Sequence, residues 1–196
     1  NSEIQNLLHK SSIITLIDPP IETIEAAAVA AKKMRKTVIW DAGVRSALGI
    51  DELKTVLTAI DYLVINHVEV KNLTGEKSPV EAWKHLSKVN DRFKLVVKLG
   101  EKGCHLVSSE QKMIVPAVEL QRLGLHAVNT VGCGDAFLGV FAAYKSLGIE
   151  DKEALERANL AGALKATKAE TRGSPTRNEL ERYLKFKQNG KVTKSN

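Results

Sequence analysis

The chain has 196 residues, 43% hydrophobic and 27% charged, a balance that suits one folded α/β domain and excludes a disordered or fibrous segment. No apolar run approaches the roughly 20 residues that span a bilayer, residues 1–10 show no secretory signal, and Cys104, Cys133 and five scattered histidines make neither a disulfide framework nor a zinc signature. A cytoplasmic setting follows, and a net charge of +6 with Arg182, Lys185, Lys187, Lys191 and Lys194 near the end predicts a basic, flexible tail over residues 183–196.

Taken in order, "SSIITLID" reads as a buried strand opening into the Pro19-Pro20 loop, and "IETIEAAAVAAKKMRK" as an alanine-rich helix with a basic last turn. "TVIWDAG" is a second strand, "GIDELKTVLTAI" a helix and "DYLVIN" a third strand. Two helices are expected next, over 67–73 and 79–88, then a fourth strand in "FKLVVKLG" and a hairpin from "GCHLVSS" and "QKMIVPA". "HAVNTVGCGD" leads into a helix, "DKEALERANLAGALKATKA" forms another and "PTRNELERYLKF" a last one. The alternation predicts βαβ units and a parallel sheet, read as a single domain over residues 1–182. The tail lacks aromatic interleaving, so a solvated terminus is preferred to a nucleic-acid arm.

Parallel sheets bind ligands where strand C-termini meet helix N-termini. Asp41-Gly43, Asn66-Glu69, Lys98-Gly103 and Gly132-Asp135 all fall at such places. Gly132-Cys133-Gly134 can offer backbone N–H groups to an anion, because the first amides of a helix have no internal partner and glycine lets a ligand approach. Asp135 in the first turn either complements the helix dipole or accepts a proton from an attacking hydroxyl. The stretch is neither a Walker A loop nor a dinucleotide fingerprint: no lysine follows in register, and Phe137 stands where a third glycine would.

"NTVGCGDAFLGVFAA" resembles the C-terminal signature of the ribokinase-like PfkB carbohydrate kinases. "NHVE" at 66–69 resembles the family's Asn-x-x-Glu motif and "KLGEKG" at 98–103 its Thr-Leu-Gly-x-x-Gly turn. "ANLAGALKATKA" resembles the helix at its adenine site, and "TRGSPT" its closing loop. The resemblance covers nearly the whole chain, in the family's order. It implies a three-layer α/β/α fold with a mainly parallel sheet. It also implies a phosphotransferase that moves the terminal phosphate of ATP to a hydroxyl of a sugar or sugar-like substrate.

By the same resemblance Asp135 is the catalytic base and Gly132, Cys133 and Gly134 form the anion hole. Only the Cys133 amide is then needed, although a thiol at a helix N-terminus could also be acidified and reactive. Asn66, Lys98, Gly100, Gly103 and Asn159 would bind nucleotide. Glu69 would serve magnesium through water; the bland reading of Asn66 and Glu69 is a helix cap with an acid in the first turn. Lys98 departs from the family's threonine and would contact a phosphate or be solvated. Ala158, Ala161, Gly162 and Ala163 would admit a flat base or serve close helix packing. Asn129, Val131 and Gly173 match segments that hold a monovalent cation in some members. Asp41 and Arg45 are substrate-side candidates; otherwise they are a strand-end acid and a solvated arginine. Partners would be small molecules, with neither nucleic acid nor membrane, and the full-length protein could form a homodimer. Asn129 and Cys133 leave a phosphosugar-kinase branch open, with nucleosides a further substrate class.

The family's N-terminal third, with its Gly-Gly motif and lid, has no counterpart here. The chain therefore reads as the C-terminal, nucleotide-binding part of such a kinase. The alternative is a nucleotide-binding piece or short form without turnover.

Overall fold

A computed structural model describes residues 2–192 of the chain, with side chains over 6–185. Two compact units result, Asn1–Val115 and Pro116–Asn196, where the sequence reads as one domain. The division falls where the last strand ends: among the described residues every strand lies in the first unit, and the second holds three α-helices.

The first unit is a six-stranded sheet in the order β1 (Ile13–Leu16), β2 (Thr37–Trp40), β3 (Tyr62–Asn66), β4 (Lys94–Lys98), β5 (Cys104–Val107) and β6 (Lys112–Val115). The first four run parallel, and β5 and β6 return antiparallel as the expected hairpin. The helices are α1 (Ser2–Lys10), α2 (Ile21–Lys33), α3 (Gly49–Glu52), α4 (Lys54–Ala59), α5 (His67–Thr74) and α6 (Pro79–Leu86). Val38, Trp40, Leu63, Ile65, Leu95 and Val97 line one face of the sheet. They share a core with Ile24, Ala28 and Ala31 of α2, Val56 and Leu57 of α4, and Ala82 and Leu86 of α6. Ile39, Val64 and Val96, on the opposite face, are equally buried. That two-faced burial explains why the parallel strands read as unbroken apolar runs.

The sequence departs from this architecture in three places. Residues 2–10 are helical and seat Leu8 in the core, although they read as mixed polar and apolar. "GIDELKTVLTAI" is not one helix but two, α3 and α4, divided at Leu53. A 3₁₀ turn over Gly43–Leu48 precedes them, closed by the Ser46 hydroxyl donating to Gly43 O.

In the second unit α7 (Cys133–Ser146), α8 (Asp151–Ala166) and α9 (Arg177–Val192) follow a loop segment. Helix α9 continues into the stretch read as a flexible tail, whose last four residues lie outside the described residues. Ala158 and Ala161 are fully buried, and a Cβ on Gly162 would stand 3.3 Å from Cys133 O and 3.9 Å from Phe137 Cβ. The small residues of α8 therefore serve its close packing on α7, the plainer of their two readings. Among the described residues no helix is long and apolar enough to cross a membrane.

Candidate active site

Each unit carries its own set of candidate groups. In the first, the C-terminal ends of β2, β3 and β4 bring Asp41, Asn66, Glu69 and Lys98 together. Asn66 caps α5, as the sequence Asn-x-x-Glu permits. Its side-chain oxygen accepts from the amides of Val68 (2.8 Å) and Glu69 (3.0 Å). In return Glu69 Oε2 accepts from the Asn66 backbone N–H at 2.7 Å and Oε1 from Asn66 Nδ2 at 2.6 Å. This reciprocal cap satisfies amides that the helix start leaves open. Burial pushes the Glu69 carboxyl above its ordinary value; the Asn66 amide pulls it back, Asp41 and Asp18 raise it and Lys98 lowers it.

Lys98 is not solvated but paired. Its ammonium lies 2.5 Å from Asp41 Oδ2, with both side chains largely buried. Asp41 Oδ1 accepts from the Gly43 amide at 3.2 Å. Arg45 is not a solvated arginine either: Nε donates to Pro19 O at 2.9 Å and Nη2 to Pro19 O and Asp18 O, strapping the loop after β1. Gly100 and Gly103 flank a 3₁₀ turn after β4, both at positive φ, and the amide of Leu99 donates to Gly103 O at 2.8 Å. Asp18, whose Oδ1 would lie 3.1 Å from a Cβ on Gly43, joins this edge. Its signal in the sequence was its place at the end of β1.

In the second unit the helix mouth has the expected form with one change of donor. Gly132 caps α7 at φ 85°, ψ 0°, and a Cβ there would meet Thr171 O at 2.6 Å. Only glycine fits, for backbone and for space. The Cys133 amide is occupied, donating to Thr130 O at 3.2 Å, and the first intrahelical bond of α7 runs from Ala136 N to Gly132 O. Among the described residues the amides of Gly132, Gly134 and Asp135 have no partner. The open donors are therefore these three, and Cys133 drops out of the set read from the sequence. Nor is its thiol acidified: burial pushes it up, against a smaller opposing effect of Lys165. Asp135 is exposed at this mouth.

Asn129 orders the approach to α7. Its Oδ1 accepts from the Val131 amide at 3.0 Å, and its Nδ2 donates to Ala169 O at 2.7 Å. Asn159 Nδ2 donates to Pro116 O at 3.2 Å. Lys165, which sequence reading passed over as an ordinary helix lysine, is fully buried and donates to Asn129 O at 3.1 Å.

Among the described residues no three His, Cys, Asp or Glu side chains cluster as a metal cage. A single carboxylate with both oxygens already hydrogen-bonded suits an ion that keeps most of its waters, as magnesium does.

The family model described as pfkB family carbohydrate kinase matches residues 3–177. The chain is 32% identical to a probable fructokinase-5 of Arabidopsis thaliana, over 93% of this chain and 61% of that protein. Among solved structures it matches a Thermotoga maritima ribokinase at 29% identity and TM-score 0.78, covering 92% of this chain and 59% of that one. It matches the Arabidopsis thaliana ribokinase complexed with ribose and ATP at 25% identity and TM-score 0.84, covering 95% and 59%. The chain thus spans about 60% of the length of these relatives. Their fold is the ribokinase-like α/β/α arrangement that the motifs implied. On the match over residues 3–177, the chain belongs to the pfkB family of carbohydrate kinases.

Proposed function

We propose that the protein transfers the terminal phosphate of ATP to a hydroxyl of a sugar, with magnesium. The observation that carries this reading is the start of α7, where the unpartnered amides of Gly132, Gly134 and Asp135 open beside the exposed Asp135 carboxylate. Phosphoryl transfer asks a protein for positioning and for donors aimed at oxygens that gather charge. The amides supply the donors without an added positive side chain. Asp135 accepts the proton of the attacking hydroxyl. Glu69, held by Asn66, would hold a magnesium ion through its water. The ion, when bound, screens the phosphate charge. Gly100, Gly103 and Asn159 border the nucleotide. Asp41 keeps Lys98 neutralised and in place, and Arg45 shapes the loop after β1.

A relative described as a probable fructokinase and a neighbour solved with ribose and ATP support a free sugar and ATP, while a ribose-1-phosphate kinase and a nucleoside kinase among the similar proteins keep a phosphosugar and a nucleoside as the alternatives. The two free cysteines suit a reducing, cytoplasmic setting. The test is incubation with magnesium ATP and, separately, a ketohexose, an aldopentose, a phosphosugar and a nucleoside, read by phosphorus NMR. Formation of a phosphate ester on a free sugar is expected. ATP that binds but stays intact with every acceptor contradicts the reading and leaves a nucleotide-binding protein without turnover.

A further inference from the structure

Lys165 lies in the last turn of α8 and has no exposed surface. An ammonium stripped of water ordinarily sits against a carboxylate. Among the described residues Lys165 has no such ion pair; its Nζ donates to the backbone oxygen of Asn129 at 3.1 Å. Its Cε stands 3.4 Å from where a Cβ on Gly132 would be, a point only 2.6 Å from Thr171 O. The side chain therefore passes beside Gly132 and ends on the backbone oxygen of Asn129. The Thr167 and Lys168 amides donate to Leu164 O and Lys165 O and the Val128 and Asn129 amides to Ala166 O, so the C-terminal end of α8, with its partial negative charge, meets the start of this turn. Such a place attracts a cation, and Lys165 brings one covalently attached.

The same segments, Asn129, Val131 and Gly173, are those the family resemblance gives to a monovalent ion. The residues present do not fit a free ion there. An ammonium already lies against the Asn129 carbonyl, and a second positive charge within a few ångströms would be repelled with little solvent to screen it.

We propose that the Lys165 ammonium is a built-in cation that pins the Asn129–Gly132 turn to the end of α8, so that this site takes no free monovalent ion. Lys165 is a positioning residue: by fixing Asn129 O it sets the backbone that leads into Gly132, and with it the aim of the open α7 amides. Its effect on turnover rests on the phosphoryl-transfer reading above; its effect on the turn does not.

The experiment compares wild type, Lys165→Met and Lys165→Ala in choline, sodium, potassium and rubidium chloride at equal ionic strength. Thermal unfolding and amide exchange of residues 129–136 are read without substrate. Wild type is expected to give the same midpoint and exchange in all four salts. Lys165→Ala is expected to melt lower in choline, to exchange faster over 129–136, and to recover part of both in potassium or rubidium, which enter the vacated space. A merely structural lysine would show no such selective recovery. Wild type that gains stability in potassium over choline overturns the proposal, and this arm stands even if neither variant folds. Lys165→Met and Lys165→Ala with wild-type melting and exchange overturn it as well. Absence of phosphoryl transfer would overturn the functional reading while leaving these measurements to decide this one.

Discussion

Asn66 and Glu69 hold each other through three hydrogen bonds: backbone N–H to Oε2, Nδ2 to Oε1, and the Glu69 amide to Asn66 Oδ1. The pair to which the family resemblance gives the nucleotide (Asn66) and magnesium (Glu69) is thus also the N-terminal cap of α5. Stability and chemistry share one carboxylate, and pH separates them. The Glu69 carboxyl lies above its ordinary 4.5, mainly through burial. A raised folded-state value means that its stabilising contribution is full below 4.5 and is lost as pH rises through the elevated value. The proposed water-binding role needs the ionised form, so turnover should rise over that same window. Glu69→Gln is expected to remove this acid limb from the kcat profile and to destabilise the protein by about 1–2 kcal/mol, since an amide cannot accept at both oxygens. A pH–rate profile with parallel urea melts checks both.

Asp41 and Lys98 form the best-buried ion pair at the strand ends. Removing one partner leaves a charge with little water around it, and Lys98→Met or Asp41→Leu alone should cost roughly 3 kcal/mol. The double variant Asp41→Leu with Lys98→Met should recover most of that. Urea unfolding of the four proteins in a double-mutant cycle measures the coupling. Two single losses that simply add would show that the pair does not act as a unit.

Gly132 and Gly162 lie near each other's helices but predict opposite outcomes. An alanine at Gly132 meets Thr171 O at 2.6 Å and must hold φ near 85°, so Gly132→Ala should cost about 2–4 kcal/mol. At Gly162 the nearest atom is Cys133 O at 3.3 Å and the backbone is helical. There the alanine gains up to about 1 kcal/mol of helix propensity against a slight crowding, and the net should be close to zero. Thermal melts of the two variants check the contrast.

Glu179 ties the start of α9, accepting from Thr176 N at 2.7 Å and from Lys168 Nζ at 3.0 Å. These bonds lower its carboxyl to about 2. A depressed value stabilises the fold above 4.5 and loses that contribution as pH falls through about 2. Solvent screens the pair, so Glu179→Gln should cost on the order of 1 kcal/mol at neutral pH and almost nothing at pH near 2. Acid titration of the melting midpoint in both proteins measures the difference.

The strands were legible because a parallel sheet buries both faces, and "TVIW", "YLVIN" and "KLVVK" can be little else. The α7 start was legible for a related reason: two glycines before an acid make sense at a helix mouth. What escaped was mostly what depends on a partner distant in sequence or on the form of a turn. Lys98 finds Asp41 across 57 positions, and Arg45 finds Pro19 across 26. Lys165 follows the polar pattern of α8 like any surface lysine, and only its burial shows otherwise. The amide of Cys133 reads as an open donor until the turn at Thr130 shows it occupied. Residues 2–10 escaped for another reason: a nine-residue helix is marginal by itself, and what holds this one is the burial of Leu8, which only the fold shows.

In the proposed reaction Asp135 takes the proton of the attacking hydroxyl at the mouth of α7. The most direct measurement is single-turnover phosphoryl transfer by Asp135→Asn beside wild type, with ATP affinity read by calorimetry on the same samples. A general base contributes about 10²–10⁴ in rate, so the variant should lose that factor in the chemical step while ATP affinity stays at the wild-type value. Wild-type transfer by Asp135→Asn, with ATP bound as before, would contradict the account.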